Sequence, residues 1–313
     1  MSLKDYKFTN GTIEFDIFLK EEQCFPGVYF RAKGRDGEQW FVRPHLSGKP
    51  DANQAAPVTN GITPWQLYFG EKYSFPYAYK FDDWTHVKIV VNNDKAQVYL
   101  DYSEAPNLSW NQYLPTQDGE IIFRGGNASG IHIANVKIDN NNYKLNNFKA
   151  LERQPIEELV QEWEVSDKFE ENSLDDLSEL DKLIKARKWV AKIQVEEGVA
   201  ANISRKMVLR DGTKNNTVFA KIEIVSDKAQ TKLFQFGYSD RVVAILNGKP
   251  IYGGTNKWRS RDYRYLGTVG LFDAVYLNLN KGKNTLIMAV SEDFGGWLIT
   301  GKFKNKNGIT IKQ

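Results

Sequence analysis

Short runs in which apolar and polar residues alternate, punctuated by Gly, Asn and Asp, recur along most of this chain. They leave little room for any architecture but stacked β-sheets. In Gly11-Thr12-Ile13-Glu14-Phe15-Asp16-Ile17 every second side chain falls on one face, as a strand with one buried face requires. This run reads as an outer strand, not the central one. Val87 to Val91 and Ala96 to Leu100 flank Asn92-Asn93-Asp94-Lys95, whose turn chemistry makes the pair a hairpin. Ile121-Ile122-Phe123 and Ile131 to Ile138 add two strands. Pro44 to Pro64, rich in Gly, Pro, Asn and Ala, reads as the longest irregular stretch, of the kind that often carries function.

Near residue 150 the pattern changes. After Pro155, the residues Ile156, Leu159, Val160 and Trp163 have helical spacing. Ser173 with Asp176 resembles a capping box, and Leu174, Leu177, Leu180 and Ile184 continue an apolar face. Trp163-Glu164-Val165 fits the opening strand of the next domain equally well. From Trp189 alternation returns: Phe219 to Val225, Val242 to Leu246 ahead of the turn pair Asn247-Gly248, then Val275, Leu277 and Leu279, Thr285 to Val290, and Trp297 to Phe303. A chain of 313 residues exceeds one ordinary core. The expected fold is therefore all-β, with two tandem β-sandwich (jelly-roll) domains at 1–150 and 189–313. A short, partly helical junction at 151–188 joins them, and the second domain starts near 160 if Trp163 opens it.

Several functions are excluded. The net charge is +3, with Lys and Arg interleaved among Asp and Glu, so no nucleic acid is expected as partner. No apolar run approaches the ~20 residues of a membrane helix, so no membrane span is expected. The single cysteine, Cys24, forms no internal disulfide. Met1-Ser2-Leu3 reads as an artificial start from which an export signal has been removed, and the expected location is secreted, periplasmic or cell-surface. The G-x-S-x-G, H-E-x-x-H, P-loop and C-x-x-C signatures are all missing. His86, beside Trp84, reads as a structural residue, and His132, between Ile131 and Ile133, as outward-facing. No cofactor is expected. Asp139-Asn140-Asn141-Asn142 reads as a solvated turn whose oxygens leave a structural calcium ion open.

Two clusters combine aromatic rings with planar polar groups. The first is Arg31, Arg43, His45, Trp65 and Gln66, spread over strand-like segments that could share a concave face. Parity puts Tyr29 with Arg31, and Phe41 with Arg43 and His45, while Trp40 and Val42 point the other way. The second is Trp258, Arg259, Arg261 and Tyr263, packed with Asp262, Arg264 and Tyr265 into eight residues. Aromatic faces stack on sugar rings, and guanidinium and amide groups fork onto hydroxyl pairs. Both clusters also have a plain reading, in which the arginines pair with acids and the aromatics fill a core.

Residues 8–148 resemble the concanavalin A-like lectin and glucanase superfamily, in particular its bacterial sandwich domains grouped with sugar hydrolases. The resemblance rests on Asn10 to Asp16, Phe25-Pro26-Gly27-Val28-Tyr29-Phe30-Arg31, Phe41-Val42-Arg43-Pro44-His45 and Asp83 to Ile89. It implies a jelly roll of two curved sheets. Glucanases of that superfamily carry two glutamates on one strand. Here Glu14 and Asp16 match the opening of their motif, but Phe18 or Leu19 stands at the second glutamate, so that mechanism is not expected. The second half is similar to galactose-binding-like sandwiches through Val242 to Asn247 and Leu277 to Val290. That likeness implies architecture more than ligand.

The leading expectation is a non-catalytic carbohydrate-binding protein of a polysaccharide recognition or degradation system. One alternative is a glycan-active hydrolase using Asp51, His45 or Glu71 on the concave face of the first sandwich. Another is a structural or adhesive surface protein. The oligomeric state stays open.

Overall fold

The computed structural model describes residues 2–3, 6–125, 130–258, 260 and 268–312. Strands account for 48% of the chain and helices for 6%, so the fold is all-β, as the alternation predicts. The chain divides into two compact units, Met1–Glu152 and Arg153–Gln313.

In the first unit the strands are β1 (Gly11–Leu19), β2 (Gly27–Lys33), β3 (Asp36–Val42), β4 (Asn53–Val58), β5 (Asp83–Asn92), β6 (Lys95–Leu100), β7 (Leu108–Asn111), β8 (Glu120–Arg124) and β9 (His132–Asp139). They form a five-stranded sheet, β7-β6-β5-β1-β9, and a four-stranded sheet, β4-β3-β2-β8. The inward side chains of the first, among them Ile13, Phe15, Ile17, Val87, Ile89 and Val98, are buried, as are Val28, Phe30, Trp40, Val42 and Phe123 of the second. Phe15 meets Phe123 edge-on at 5.1 Å across the two layers. The core is the space between the sheets.

Two expectations fail here. β1 is no outer strand: it is hydrogen-bonded to β5 on one side and β9 on the other. An N-terminal strand inserted between later ones is invisible to local alternation. The stretch 44–64 is not wholly irregular either, since it contains a single 3-10 turn at Pro44–Leu46 and all of β4. β4 escapes notice because Pro57 sits in it, and proline is tolerated there because β4 is an edge strand.

In the second unit the strands are β10 (Glu162–Ser166), β11 (Trp189–Glu196), β12 (Ala200–Asn202), β13 (Thr217–Ser226), β14 (Gln230–Tyr238), β15 (Arg241–Leu246), β16 (Lys249–Thr255), β17 (Asp273–Leu279), β18 (Gly282–Ser291), β19 (Leu298–Phe303) and β20 (Ile309–Lys312). Pairing runs β16-β15-β18-β13-β10-β11-β12-β19-β14-β17, with β20 also on β13. β11 pairs with β10 along its first part and with β12 at its end, so it carries the chain from one layer to the other. Phe236 of β14 meets Tyr252 of β16 edge-on at 5.3 Å between the layers. Trp163, Phe234, Phe236, Val290 and Trp297 are all buried, and Trp297 donates its indole N–H to the Val290 carbonyl at 3.0 Å.

Residues 156–163 form no helix. Trp163 and Val165 lie on β10, which is paired on both sides, so the short run is the first strand of the second unit. The helical residues follow it: 3-10 turns at Glu171–Leu174 and Leu177–Glu179, then α1 (Leu180–Lys185). They belong to the second unit and do not form a junction. Leu174, Leu180, Leu183 and Ile184 pack on Phe219, Ile245, Ile287 and Ala289, covering the side of the sheet that faces away from the other layer.

Candidate functional site

The arginines of the first cluster point inward. The β2–β3 register slips after Phe30, and Arg31 takes a left-handed φ of 52°. This bulge breaks the strand parity assumed for Tyr29 and Arg31. Arg31 is 1% exposed. It donates from Nε to the Thr9 carbonyl at 2.7 Å, from Nη1 to Gln112 Oε1 at 2.5 Å and from Nη2 to Asn10 Oδ1 at 3.0 Å. Its fork ties the chain before β1 to the segment after β7.

Arg43 is buried too. Nη1 donates to the Asp51 carbonyl at 3.0 Å, Nη2 donates to Gln54, and the guanidinium lies 4.9 Å over the Phe41 ring. Gln54 in turn donates to the Trp65 and Tyr68 carbonyls. Arg43 and Gln54 thus fasten the 59–82 segment onto the four-stranded sheet. Burial lowers the Arg43 pKa to about 10, against the opposing pull of Asp51. Gln66 is buried in that segment, whereas Trp65 is half-buried. His45 is half-buried with its ring edge-on to Phe25 at 5.5 Å. Burial, then the Arg43 charge, lowers its pKa. The structure therefore brings Arg43, His45 and Trp65 into one region and sets Arg31 apart, with little of the guanidinium chemistry facing solvent.

The outer face of the five-stranded sheet carries a constellation that the sequence reading passed over. Antiparallel register stacks it in three cross-strand rows. Lys88, Glu14 and Lys137 form a charged row, His86 and Asp16 an acid–imidazole row, and Trp84, Phe18 and His132 an aromatic row. His86 Nδ1 lies 2.7 Å from Asp16 Oδ1, and its Nε2 lies 3.7 Å from Glu14 Oε2. A bulge in β9 puts Asn135 at φ 52°, and its amide donates to Asp16 Oδ2 at 2.6 Å. Burial works against ionisation of Asp16, but the hydrogen bonds from Asn135 and His86, the His86 charge and Lys137 outweigh it and lower its pKa.

Above this row stands Tyr102. Asp101 and Tyr102 follow β6 with φ of 48° and 60°, a conformation that bulky residues rarely hold without support. Asp101 supplies the support: its carboxylate accepts from the His86 backbone N–H at 3.0 Å and from the Tyr77 hydroxyl at 2.6 Å. Tyr102 is thereby laid flat on the His86 ring, with centroids 3.9 Å apart and planes 7° off parallel. The tyrosine remains 77% exposed and nearby Trp84 is 43% exposed. The result is a held aromatic platform beside two carboxylates, an amide and an imidazole.

In the second unit Trp258 is 42% exposed and 6.4 Å from Phe294. Arg259, Arg261 and Tyr263 lie outside the described residues. Among the described residues no group of three or more His, Cys, Asp or Glu side chains is placed to hold a metal ion, and no helix is long and apolar enough to cross a membrane. Asp139 of the Asn-rich turn accepts from the Asn141 backbone N–H at 2.9 Å.

No protein-family model matches the chain, and no curated protein matches its sequence. Similar solved structures include a family 35 carbohydrate binding module from an environmental isolate, at 18% identity and TM-score 0.25, covering 31% of this chain and 72% of the module. A putative glycosyl hydrolase from Parabacteroides distasonis ATCC 8503 aligns at 12% identity and TM-score 0.29, over 44% of this chain and 73% of that one. The PA14 domain of MpAFP antifreeze protein aligns at 11% identity and TM-score 0.27, over 51% and 89%.

Proposed function

We propose that this chain binds carbohydrate through the outer face of its five-stranded sheet, with no chemistry required of the site. The observation that carries the reading is Tyr102, held flat on His86 yet open to solvent on its other face. An aromatic plane fixed in advance loses little freedom when a sugar ring settles on it. Asp16, Glu14 and Asn135 border the platform. Carboxylate and amide groups there accept from and donate to adjacent hydroxyls. Lys88 and Lys137 flank Glu14 across the strands, so the face suits a neutral or weakly charged glycan.

The test is a glycan array probed with the wild-type chain and with Tyr102→Ala. Tyr102 is exposed, so its loss leaves the core intact. Losing one stacking platform costs roughly 1–1.5 kcal/mol, which weakens affinity about tenfold. Equal binding by both proteins removes the platform from the site. Release of shortened glycans by the wild-type protein, lost in Asp16→Asn, would instead make this outer face a hydrolytic site.

A further inference from the structure

We infer that the second unit carries its own glycan site, centred on Arg241, so that one chain binds two neutral sugars independently. This inference extends the reading above to a second location. A shallow recess of about 260 Å3 lies on this unit. It is lined by Glu171, Leu174, Asp175, Arg241, Val243 and Gly253, among others. A Cβ on Gly253 would meet nothing within 4 Å, so this wall is open backbone. The volume suits a single sugar ring better than a long chain.

Arg241 is the fixed point of the recess. Its Nε and Nη2 donate to the two oxygens of Glu171, and Nη1 donates to Asp293 Oδ2 at 2.8 Å. Lys257 also pairs with Asp293 at 2.8 Å, and Asn216 donates to Asp293 Oδ1 at 3.1 Å. Among the described residues, three carboxylates, Glu171, Asp175 and Asp293, stand against two cations, Arg241 and Lys257, so this network itself carries no excess positive charge. Such a crossed network still has spare lone pairs and N–H groups toward solvent, and hydroxyls both donate and accept into it. From Asp293 the chain runs directly to Phe294, which is 53% exposed and paired with Trp258. Charged fork, open recess and aromatic pair therefore adjoin one another, which is the combination that recognises a polyol ring.

The experiment is calorimetric titration of the full chain with neutral hexasaccharides of β-1,4-linked glucose, xylose or mannose and of α-1,4-linked glucose. Wild type, Tyr102→Ala, Trp258→Ala, Phe294→Ala and the Tyr102→Ala/Phe294→Ala pair are compared, with circular dichroism as the check on folding. With the protein held near the wild-type Kd, a site weakened about tenfold gives no measurable heat, so the expected stoichiometry is two sugars per chain in the wild type, one in each single variant and none in the paired variant. Phe294→Ala guards against a folding defect in Trp258→Ala, because over half of the Phe294 side chain already lies in solvent. One sugar per chain, lost in Tyr102→Ala and unaffected by Trp258→Ala and Phe294→Ala, overturns this inference and leaves the first site standing. One sugar, lost in Phe294→Ala and kept in Tyr102→Ala, removes the first site and keeps this one. Binding of none of these sugars by the wild type overturns both.

Discussion

Glu292 is fully buried, and Asp240 beside it nearly so. Their carboxyls converge on one backbone N–H: the Phe294 amide donates to Glu292 Oε1 at 2.8 Å and to Asp240 Oδ2 at 3.2 Å, and the Asp293 amide also donates to Asp240. Burial above all, then the neighbouring Asp240 charge, raises the Glu292 pKa well above the ordinary glutamate range. A carboxyl with a raised folded-state pKa stabilises fully at pH below its unfolded value, and that contribution is lost as pH rises through the folded value. Glu292→Gln keeps the acceptor and removes the ionisation. Melting temperatures of the two proteins between roughly pH 4 and roughly pH 8 should therefore diverge, the variant gaining on the wild type as pH rises. Parallel curves would mean that Glu292 does not titrate with folding. Much of this residue-level chemistry is hidden in the sequence. The outward parity of Glu14 and Asp16 is legible from alternation alone, yet His86 meets Asp16 only because β1 and β5 pair in one register. Arg31 and Arg43 were attractive as ligand groups because guanidinium type says nothing about burial.

At the scale of strands and turns, the clearest signals are those with a local cause. Asn247 and Gly248 both have positive φ, at 50° and 80°, and Leu246 pairs with Lys249 around them, as the two-residue turn demands. The helical spacing of Ile156 to Trp163 misleads because a few apolar residues in an irregular lead-in imitate a periodicity that β10 then contradicts. Close backbone approach is the other thing sequence hides. On β14, a Cβ at Gly237 would stand 1.7 Å from the Gly270 carbonyl oxygen, and a backbone atom does not swing aside as a flexible side chain does. Gly237→Ala should cost about 2–3 kcal/mol or more in chemical unfolding. A cost below about 0.5 kcal/mol would show that the strand and its neighbour separate easily.

For the molecule as a whole, the chain divides once, after Glu152, beside the expected border at 150 and ahead of the second-domain start expected at 189 or near 160. We propose that each side of this division is an independent folding unit. Residues 1–152 and 153–313, expressed separately, should each be soluble and unfold in one cooperative transition. A fragment that stays unfolded alone would show that the two halves share a core.

The placement of β1 has a consequence for synthesis. It is synthesised ahead of the strands it pairs with, and one of these two partners, β9, begins about a hundred residues later. At ordinary translation rates the wait is on the order of ten seconds. Until β5 emerges β1 presents both backbone edges, and from then until β9 emerges it still presents one, a state prone to aggregation. Nascent chains stalled before His132 should be the ones that chaperones hold longest.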